Sequence, residues 1–304
     1  MREYKKYYIT LPGGELYEIE RPLVMAVINV TDDSFYSASR VTTNANALRA
    51  RTRQLIEDGA DIIDVGACST RPGSEPVALG EEIDRLLRSL PIIKEEAEKS
   101  KRRVPVSVDS YRSAVVKACH EAVGIDIVND ISGGTLDDSM WQTVARLRLP
   151  YVLTHVKGTP RTMAAMTDYR DGVAAEVLED MAKKLDSLRQ MGVNDVIVDP
   201  GFGFAKTIEQ NYQLASCLEL FHSLNAPLLV GFSRKKMITE VLGCRADEAL
   251  NGTTVLNTVA LLAGAHILRV HDAKEAREAV RLIEALRRNS VMINKIETTD
   301  KSEI

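Results

Sequence analysis

Short, almost uninterrupted apolar runs recur along the whole chain, and they limit the possible folds more than any other feature. A run that is apolar at nearly every position is typical of a strand buried on both faces of a parallel sheet. Segments with a helical pattern separate these runs. The eight runs cover residues 23–30, 61–66, 104–110, 126–132, 151–156, 196–200, 227–233 and 266–272.

The segments between the runs predict amphipathic helices. NANALRARTRQLIEDGA places Leu48, Leu55 and Ile56 on one side and stops at Gly59, a residue suited to ending a helix. VAAEVLEDMAKKLDSLRQMG repeats the pattern up to Gly192, and AKEAREAVRLIEALRRN forms the last helix.

Eight strands that alternate with helices predict an α/β fold, a (β/α)8 TIM barrel. A doubly wound open sheet is the alternative. Its first turn usually carries a glycine-rich phosphate site, but here the turn reads NVTDDSF, without glycine, so we favour the barrel.

The chain of 304 residues is expected to form a single domain with a core of about 22–290. Residues 1–20 predict a short N-terminal hairpin that turns at PGG and caps the barrel bottom, and the polar C-terminal tail NKIETTDKSEI is expected to fray.

Composition argues against several classes of partner. A net charge of −4 argues against nucleic acid. We expect no membrane span and no secretory signal, because no apolar stretch is long enough and the start MREYKKYYIT is polar. The four cysteines form no C-x-x-C pair, which favours reduced thiols in a cytoplasmic protein.

Polar residues stand where the predicted strands end, the edge at which barrel enzymes place their chemistry. Any one of them can simply cap a helix or tie down a loop, and we assign Asp64 and Asp130 to that role. As a set they predict a ligand site, because unpaired buried polar groups are costly. The set is Asn29, Asp64, Asp109, Asn129, Asp130, His155, Asp199, Ser233 and His271.

The residue types suggest the ligand's chemistry. Asp109, Asn129 and Asp199 suit a flat heterocycle, since a carboxylate pairs well with a planar edge of N–H donors. Groups that attract anions stand at the same edge, which predicts a phosphate site beside the heterocycle. They are Arg71, Lys235, Arg269 and His271. The polar loops 31–44 and 67–80 are expected to close over the substrate.

Taken in order, the motifs between residues 22 and 285 resemble the dihydropteroate synthase family. They read INVTDDSF, STRPGSEPV, VSVDS, VNDISGG, THVKGTPRTM, DPGFGFAKTIEQNY, GFSRKKMI and RVHD. The resemblance implies a transferase of folate biosynthesis that uses Mg²⁺. It would condense 6-hydroxymethyl-7,8-dihydropterin pyrophosphate with 4-aminobenzoate by an SN1-like route, as a homodimer packed through outer helices.

The resemblance also implies roles for individual residues. The pterin would contact Asp109, Asn129, Asp199 and Lys235. Pyrophosphate would contact Asn29, Arg71, Arg269 and His271, with Asn29 also a ligand of Mg²⁺. 4-Aminobenzoate would contact Thr70, Pro72, Phe204 and Lys236. Asp109, Lys235 and Arg71 would be catalytic, and Asp33 and Phe35 would lie on the first closing loop.

Four positions depart from the family pattern: Asp32 replaces proline, Cys68 glutamate, Lys157 glutamine and Lys236 serine. Two rival functions stay open. One is a methyltransferase barrel that passes a methyl group from methyltetrahydrofolate to a corrinoid protein, and the other is a non-catalytic pterin-binding paralogue.

Overall fold

The computed structural model describes residues 4–30, 41–68 and 77–299, without the side chains of residues 41–44 and 290–299. All eight predicted strands are present. A hairpin precedes them, and its turn at residues 12–14 includes Gly13 and Gly14, both at positive φ. The strands are β1 (Tyr7–Leu11), β2 (Glu15–Ile19), β3 (Leu23–Asn29), β4 (Ile62–Gly66), β5 (Val106–Asp109), β6 (Ile127–Asp130), β7 (Tyr151–Thr154), β8 (Val196–Asp199), β9 (Leu229–Val230) and β10 (Ile267–Val270).

Strands β3 to β10 form one parallel sheet in the order β8-β7-β6-β5-β4-β3-β10-β9. A parallel bridge between Val198 of β8 and Leu228, the residue before β9, joins the two ends of this sheet. The sheet therefore closes on itself. The predicted barrel is confirmed, and the doubly wound alternative is wrong.

Helices follow every strand of the barrel. They are α1 (Val41–Glu57), α2 (Leu79–Glu98), α3 (Ser113–Val123), α4 (Met140–Leu147), α5 (Val173–Gln190), α6 (Ile208–Ser216), α7 (Lys236–Leu242), α8 (Leu250–Leu262) and α9 (Ala273–Thr299), with 3-10 turns at Met163–Ala165 and Leu218–Leu224. Helices α1 and α5 end just before Gly59 and Gly192, as predicted, and both glycines have positive φ. Helix α9 continues to Thr299, so the first part of the tail that was expected to fray is helical.

The interior of the barrel is apolar in its lower half. A cluster of inward-facing strand residues, including Met25, Ile62 and Ile197, packs against hairpin residues Ile9 and Leu11. Burying each such side chain contributes about 1.5–3 kcal/mol, so the hairpin seals the lower end. Polar chemistry is thereby confined to the upper end. No helix in the described ranges is long and apolar enough to cross a membrane.

Candidate active site

The inward-facing positions change from apolar to polar halfway up the barrel. Side chains alternate along a strand, so Asp64 follows Ile62 on the same face, Asn129 follows Ile127, and Asp199 follows Ile197. A pocket lies next to these polar residues, at the carboxyl ends of the strands. It is lined by Val27, Asn129, Ile131, Thr154, Asp199, Phe204, Gly231, Ser233, Lys235, Arg269 and His271. A larger cleft of about 720 Å³ lies at the hairpin end, where none of the predicted site residues lines it.

Arg269 lies at the centre of a network of charges under the pocket. Its Nε donates to Asp64 Oδ2 at 2.7 Å, and its Nη2 donates to Asp109 Oδ2 at 2.5 Å. The amide of Asn129 donates to the same Asp64 oxygen at 2.9 Å. Asp64 is fully buried and holds two predicted ligand-binding residues in place. The interpretation of Asp64 as a helix cap or loop anchor is therefore wrong.

Asp130 fills the role that the sequence analysis gave it. Its carboxylate accepts hydrogen bonds from the backbone N–H of Ser132 at 2.8 Å and of Gly134 at 2.9 Å, and from the hydroxyl of Tyr151 at 2.6 Å. It ties down the loop after β6.

The carboxyl group of Asp109 has a pKa close to neutral pH. Burial raises the pKa of its carboxyl to about 7, Asp64 and Asp130 add to the rise, and the Arg269 guanidinium opposes it. Burial works against the charge of Arg269, but Asp64 and Asp109 together raise its pKa above the ordinary value, so it stays cationic.

Asp199 closes the run of β-branched residues on β8. Its Oδ1 accepts the backbone N–H of Gly201 at 2.8 Å, and its Oδ2 has no hydrogen-bond partner among the described residues. Burial raises the pKa of the carboxyl, while Lys235 and the Gly201 N–H lower it. A buried carboxylate with one free oxygen is suited to accept donors from a ligand.

Lys235 reaches the pocket from the turn after β9. Its ammonium donates to the carbonyl of Phe202 at 2.5 Å and lies 5.1 Å from the centre of the Phe204 ring. Burial lowers its pKa to about 8, against the opposing charge of Asp199.

Of the three basic residues in SRKK, Lys235 alone lines the pocket. Arg234 has φ +56° and turns away, forming a bidentate pair with Asp272 at 2.9 and 2.8 Å. Lys236 has a side chain 78% exposed, with its ammonium 3.7 Å from Glu240. Its role toward 4-aminobenzoate stays a prediction.

The remaining predicted residues are placed in part. The Nδ1 of His271 lies 3.0 Å from the hydroxyl of Ser233 and faces the pocket. Asn29 is exposed at the end of β3. Thr70, Arg71 and Pro72, together with the first-loop residues Asp32, Asp33 and Phe35, lie outside the described residues.

Besides Lys236, two more of the four family departures lie in the described part, Lys157 and Cys68. Lys157 donates to the carbonyl of Asp168 at 2.7 Å and to Glu176 at 2.9 Å, and it lies over the Tyr169 ring. Burial, followed by the neighbouring Glu82, raises the pKa of the Cys68 thiol to about 12. Both residues therefore contact protein groups at the rim.

Sequence reasoning missed two residues, one in the pocket and one beneath it. Thr154 lines it with a buried hydroxyl that has no partner among the described residues. Lys206, the last residue of the segment after Asp199, is buried below Phe204 and was given no role. The signal for Thr154 was its position at the end of a predicted strand.

Comparison with known proteins identifies the family. The family model described as pterin binding enzyme matches residues 25–271. Dihydropteroate synthase of Escherichia coli strain K12 is 38% identical over 274 residues, which cover 90% of this chain and 94% of the relative. This chain belongs to the dihydropteroate synthase family. The family and transferase class expected from the motifs are confirmed.

Solved synthases share the fold. The Thermus thermophilus enzyme in complex with 4-aminobenzoate has a TM-score of 0.80 at 34% identity, covering 92% of this chain and 100% of that chain. The Xanthomonas albilineans enzyme in complex with 7,8-dihydropteroate has a TM-score of 0.79 at 29% identity, covering 92% and 99%.

Proposed function

We propose that this synthase joins 6-hydroxymethyl-7,8-dihydropterin pyrophosphate to 4-aminobenzoate, giving 7,8-dihydropteroate and pyrophosphate in folate biosynthesis. One observation carries the proposal: the buried carboxylate of Asp199 lines the pocket with an oxygen that no described residue uses. A pterin presents adjacent N–H and NH₂ donors along one edge, which suits such a carboxylate.

The pterin would lie across the polar layer of the barrel. Asp199 would accept the donor edge, Asn129 would face a second edge from β6, and Lys235 would donate to a ring acceptor. Asn129 has its amide nitrogen fixed on Asp64 at 2.9 Å, which leaves its oxygen for the ligand. This arrangement would place the exocyclic carbon of the pterin toward the rim, near Asp109.

The pyrophosphate would lie at the rim, among Asn29, Arg71, Arg269 and His271. Arg269 uses Nε and Nη2 to bind Asp64 and Asp109, so Nη1 is the group it would offer to an anion. Its first role in the pocket is thus to orient Asp109, with anion binding as its second.

Mg²⁺ fits this rim as an ion carried by the substrate. Asn29 and Asp109 each place an oxygen within 3.6 Å of the position that a Gly66 Cβ would occupy, so both reach the same side of the mouth. The described residues contain no group of three acidic, His or Cys side chains that could hold a metal alone. Mg²⁺ often takes few protein oxygens together with phosphate oxygens and water. When bound, it would neutralise charge on the leaving pyrophosphate.

The reaction needs no strong base. The bond between the exocyclic carbon and the pyrophosphate oxygen breaks, and its electron pair leaves with pyrophosphate. The pterin cation is stabilised by the Asp109 carboxylate, since positive charge beside that group favours its ionised form. The residues Thr70, Pro72, Phe204 and Lys236 would hold 4-aminobenzoate. Its neutral amine then forms the C–N bond and releases a proton to solvent.

An assay of pyrophosphate release with both substrates present tests the proposal. The condensation requires release that depends on 4-aminobenzoate. A methyltransferase would instead consume methyltetrahydrofolate with a corrinoid acceptor, and a non-catalytic paralogue would bind pterin without turnover. Absence of release from the folded protein with Mg²⁺ would refute the proposed reaction.

A homodimer is the second part of the proposal. Val255, Val259 and Leu262 are exposed at helical spacing on α8, and Leu282 and Leu286 are exposed on α9. Together they form an apolar stripe on the outer face that a second copy would bury. Light scattering should give the mass of two chains for the parent protein and the mass of one chain for the double variant Leu282→Asp, Leu286→Asp.

We also propose a cytoplasmic location, because all four cysteines are free thiols.

A further inference from the structure

Lys206 is a lysine with almost no access to solvent. Its side chain turns back under the segment Gly201–Phe204, between β8 and α6, and the residue is 9% exposed. The ammonium contacts three groups: the carbonyls of Gly201 at 2.9 Å and Phe204 at 3.1 Å, and Nδ1 of His155 at 3.1 Å. No carboxylate within the described ranges lies within 4.0 Å of it, so it is not half of an ion pair.

The geometry around the nitrogen matches the protonated form. An ammonium has three N–H donors, and this one meets three groups that can accept them; a neutral amine could donate only to the two carbonyls, and its lone pair would have to accept from an Nδ1–H of His155. With Lys206 charged, His155 presents a bare Nδ1, which puts its proton on Nε2, 4.0 Å from Asp180. Burial, reinforced by Lys206, lowers the pKa of His155 to about 2, so the imidazole is neutral and serves as an acceptor.

The segment that Lys206 holds touches two of the proposed pterin ligands. The Gly201 N–H donates to Asp199 at 2.8 Å, and the Phe202 carbonyl accepts from Lys235 at 2.5 Å. The backbone of this segment also packs closely against β7 and the residue after it, because a Cβ at Gly201 would lie 1.9 Å from the carbonyl oxygen of His155. A shift of this segment would therefore move Asp199 and Lys235 together.

We propose that Lys206 is a positioning residue for the condensation: its ammonium, seated on His155, fixes the segment Gly201–Phe204 and through it aligns Asp199 and Lys235 with the pterin. This inference rests on the proposed function, since it assigns a task to a residue that does not touch the substrate.

The charge of Lys206 makes the alignment dependent on pH. The pKa of its ammonium is lowered to about 7, mainly by burial and also by the charges of Lys235 and Lys157, against the opposing charges of Asp199 and Asp180. Because the folded pKa lies below the ordinary one, the charged form is lost as pH rises through that value. Deprotonation would remove the donor to Nδ1 of His155 and the charge that strengthens the bonds to the carbonyls of Gly201 and Phe204, so the segment would loosen on the alkaline side.

The test compares Lys206→Met with a matched lysine. Lys94 also donates to two backbone carbonyls, those of Val123 and Gly124 at the C-terminal end of α3, but it lies on α2, away from the pocket. We expect Lys206→Met to lower kcat at least tenfold and to raise the pterin pyrophosphate KM, while Lys94→Met changes melting temperature alone. Lys206→Arg, which keeps its charge, should move the alkaline limb of kcat/KM to higher pH.

Each outcome decides the matter. Unchanged kinetics in folded Lys206→Met, or the same change in both methionine variants, would overturn the proposal. If Lys206→Met does not fold, His155→Leu takes its place, and it should show a smaller effect in the same direction. If the parent protein releases no pyrophosphate, the proposed function fails by itself. Calorimetry with a pterin ligand then tests Lys206, and affinity equal to the parent's would refute its positioning role.

Discussion

Replacing Asp199 with Asn should separate ligand binding from stability. The substitution keeps the shape of the side chain but replaces a carboxylate oxygen with an NH₂ group. Since Oδ1 already accepts from Gly201, the NH₂ would face the pterin, which also donates there. Two donor groups would then face each other, and the negative charge of the carboxylate would be lost. Together these changes should cost about 2–5 kcal/mol of binding free energy, or roughly 30- to 5,000-fold in Kd.

The same substitution should not destabilise the free protein. Burial raises the pKa of Asp199, so at neutral pH the ionised carboxylate lowers stability compared with a neutral group of equal shape. The folded pKa lies above the unfolded one, so this cost is present at neutral pH and disappears as pH falls through the folded pKa. Asp199→Asn should therefore have an equal or higher free energy of unfolding near pH 7.

Calorimetric titration with a pterin ligand and urea unfolding measure the two effects. Asp195→Asn is the matched control, because Asp195 lies at the other end of β8 and accepts a single backbone N–H, from Thr10 at 3.0 Å. That control should lose about 1 kcal/mol of stability and keep its affinity. A loss of affinity at Asp199 below about tenfold, roughly 1.4 kcal/mol, would refute the assignment.

Three further predictions address the rim and the charge network. Lys236→Ala should raise the KM for 4-aminobenzoate and leave that for pterin pyrophosphate unchanged; equal values in steady-state kinetics would assign the carboxylate to other groups. A sulfonamide should bind at least tenfold more tightly with Mg²⁺ and pyrophosphate present, because ordering the two polar loops costs about 1–2 kcal/mol per residue, and Arg71→Ala should abolish the difference. Equal affinities in calorimetry would mean that the pocket is preformed. Asp64→Ala leaves Arg269 without one of its two carboxylates, and urea unfolding should register a loss of about 3–5 kcal/mol; a loss below about 1 kcal/mol would contradict the network.

The strands were predictable because each is apolar along its length, and a polar residue at a strand end stands out against it. That contrast located Asp109, Asn129 and Asp199. It did not give the partner of each residue, since pairing depends on how far the strands are staggered around the barrel. Asp64 was misassigned for this reason: its partner Arg269 is 205 residues away in the chain.

Other features depend on backbone angles and burial that a sequence does not display. The turn in SRKK sends Lys235 inward and Arg234 outward because Arg234 has φ +56°. Lys206 follows two glycines and two phenylalanines, which gives no sign that its ammonium is surrounded by carbonyls. The two closing loops were predicted from composition, and the residues assigned on them stay predictions.

The join between β8 and β9 has a consequence for how a ligand affects the barrel. Strand β9 has two residues, and in the described part of the chain a single bridge, from Val198 to Leu228 just before β9, joins this side of the sheet to β8. Asp199 stands directly after one side of this join and Lys235 shortly after the other. A pterin bound by both residues would link the two strands at the point where the fewest backbone contacts join them. Binding of the pterin should therefore slow amide hydrogen exchange at this join more than elsewhere in the barrel, because the bound substrate would stabilise the closure of the sheet.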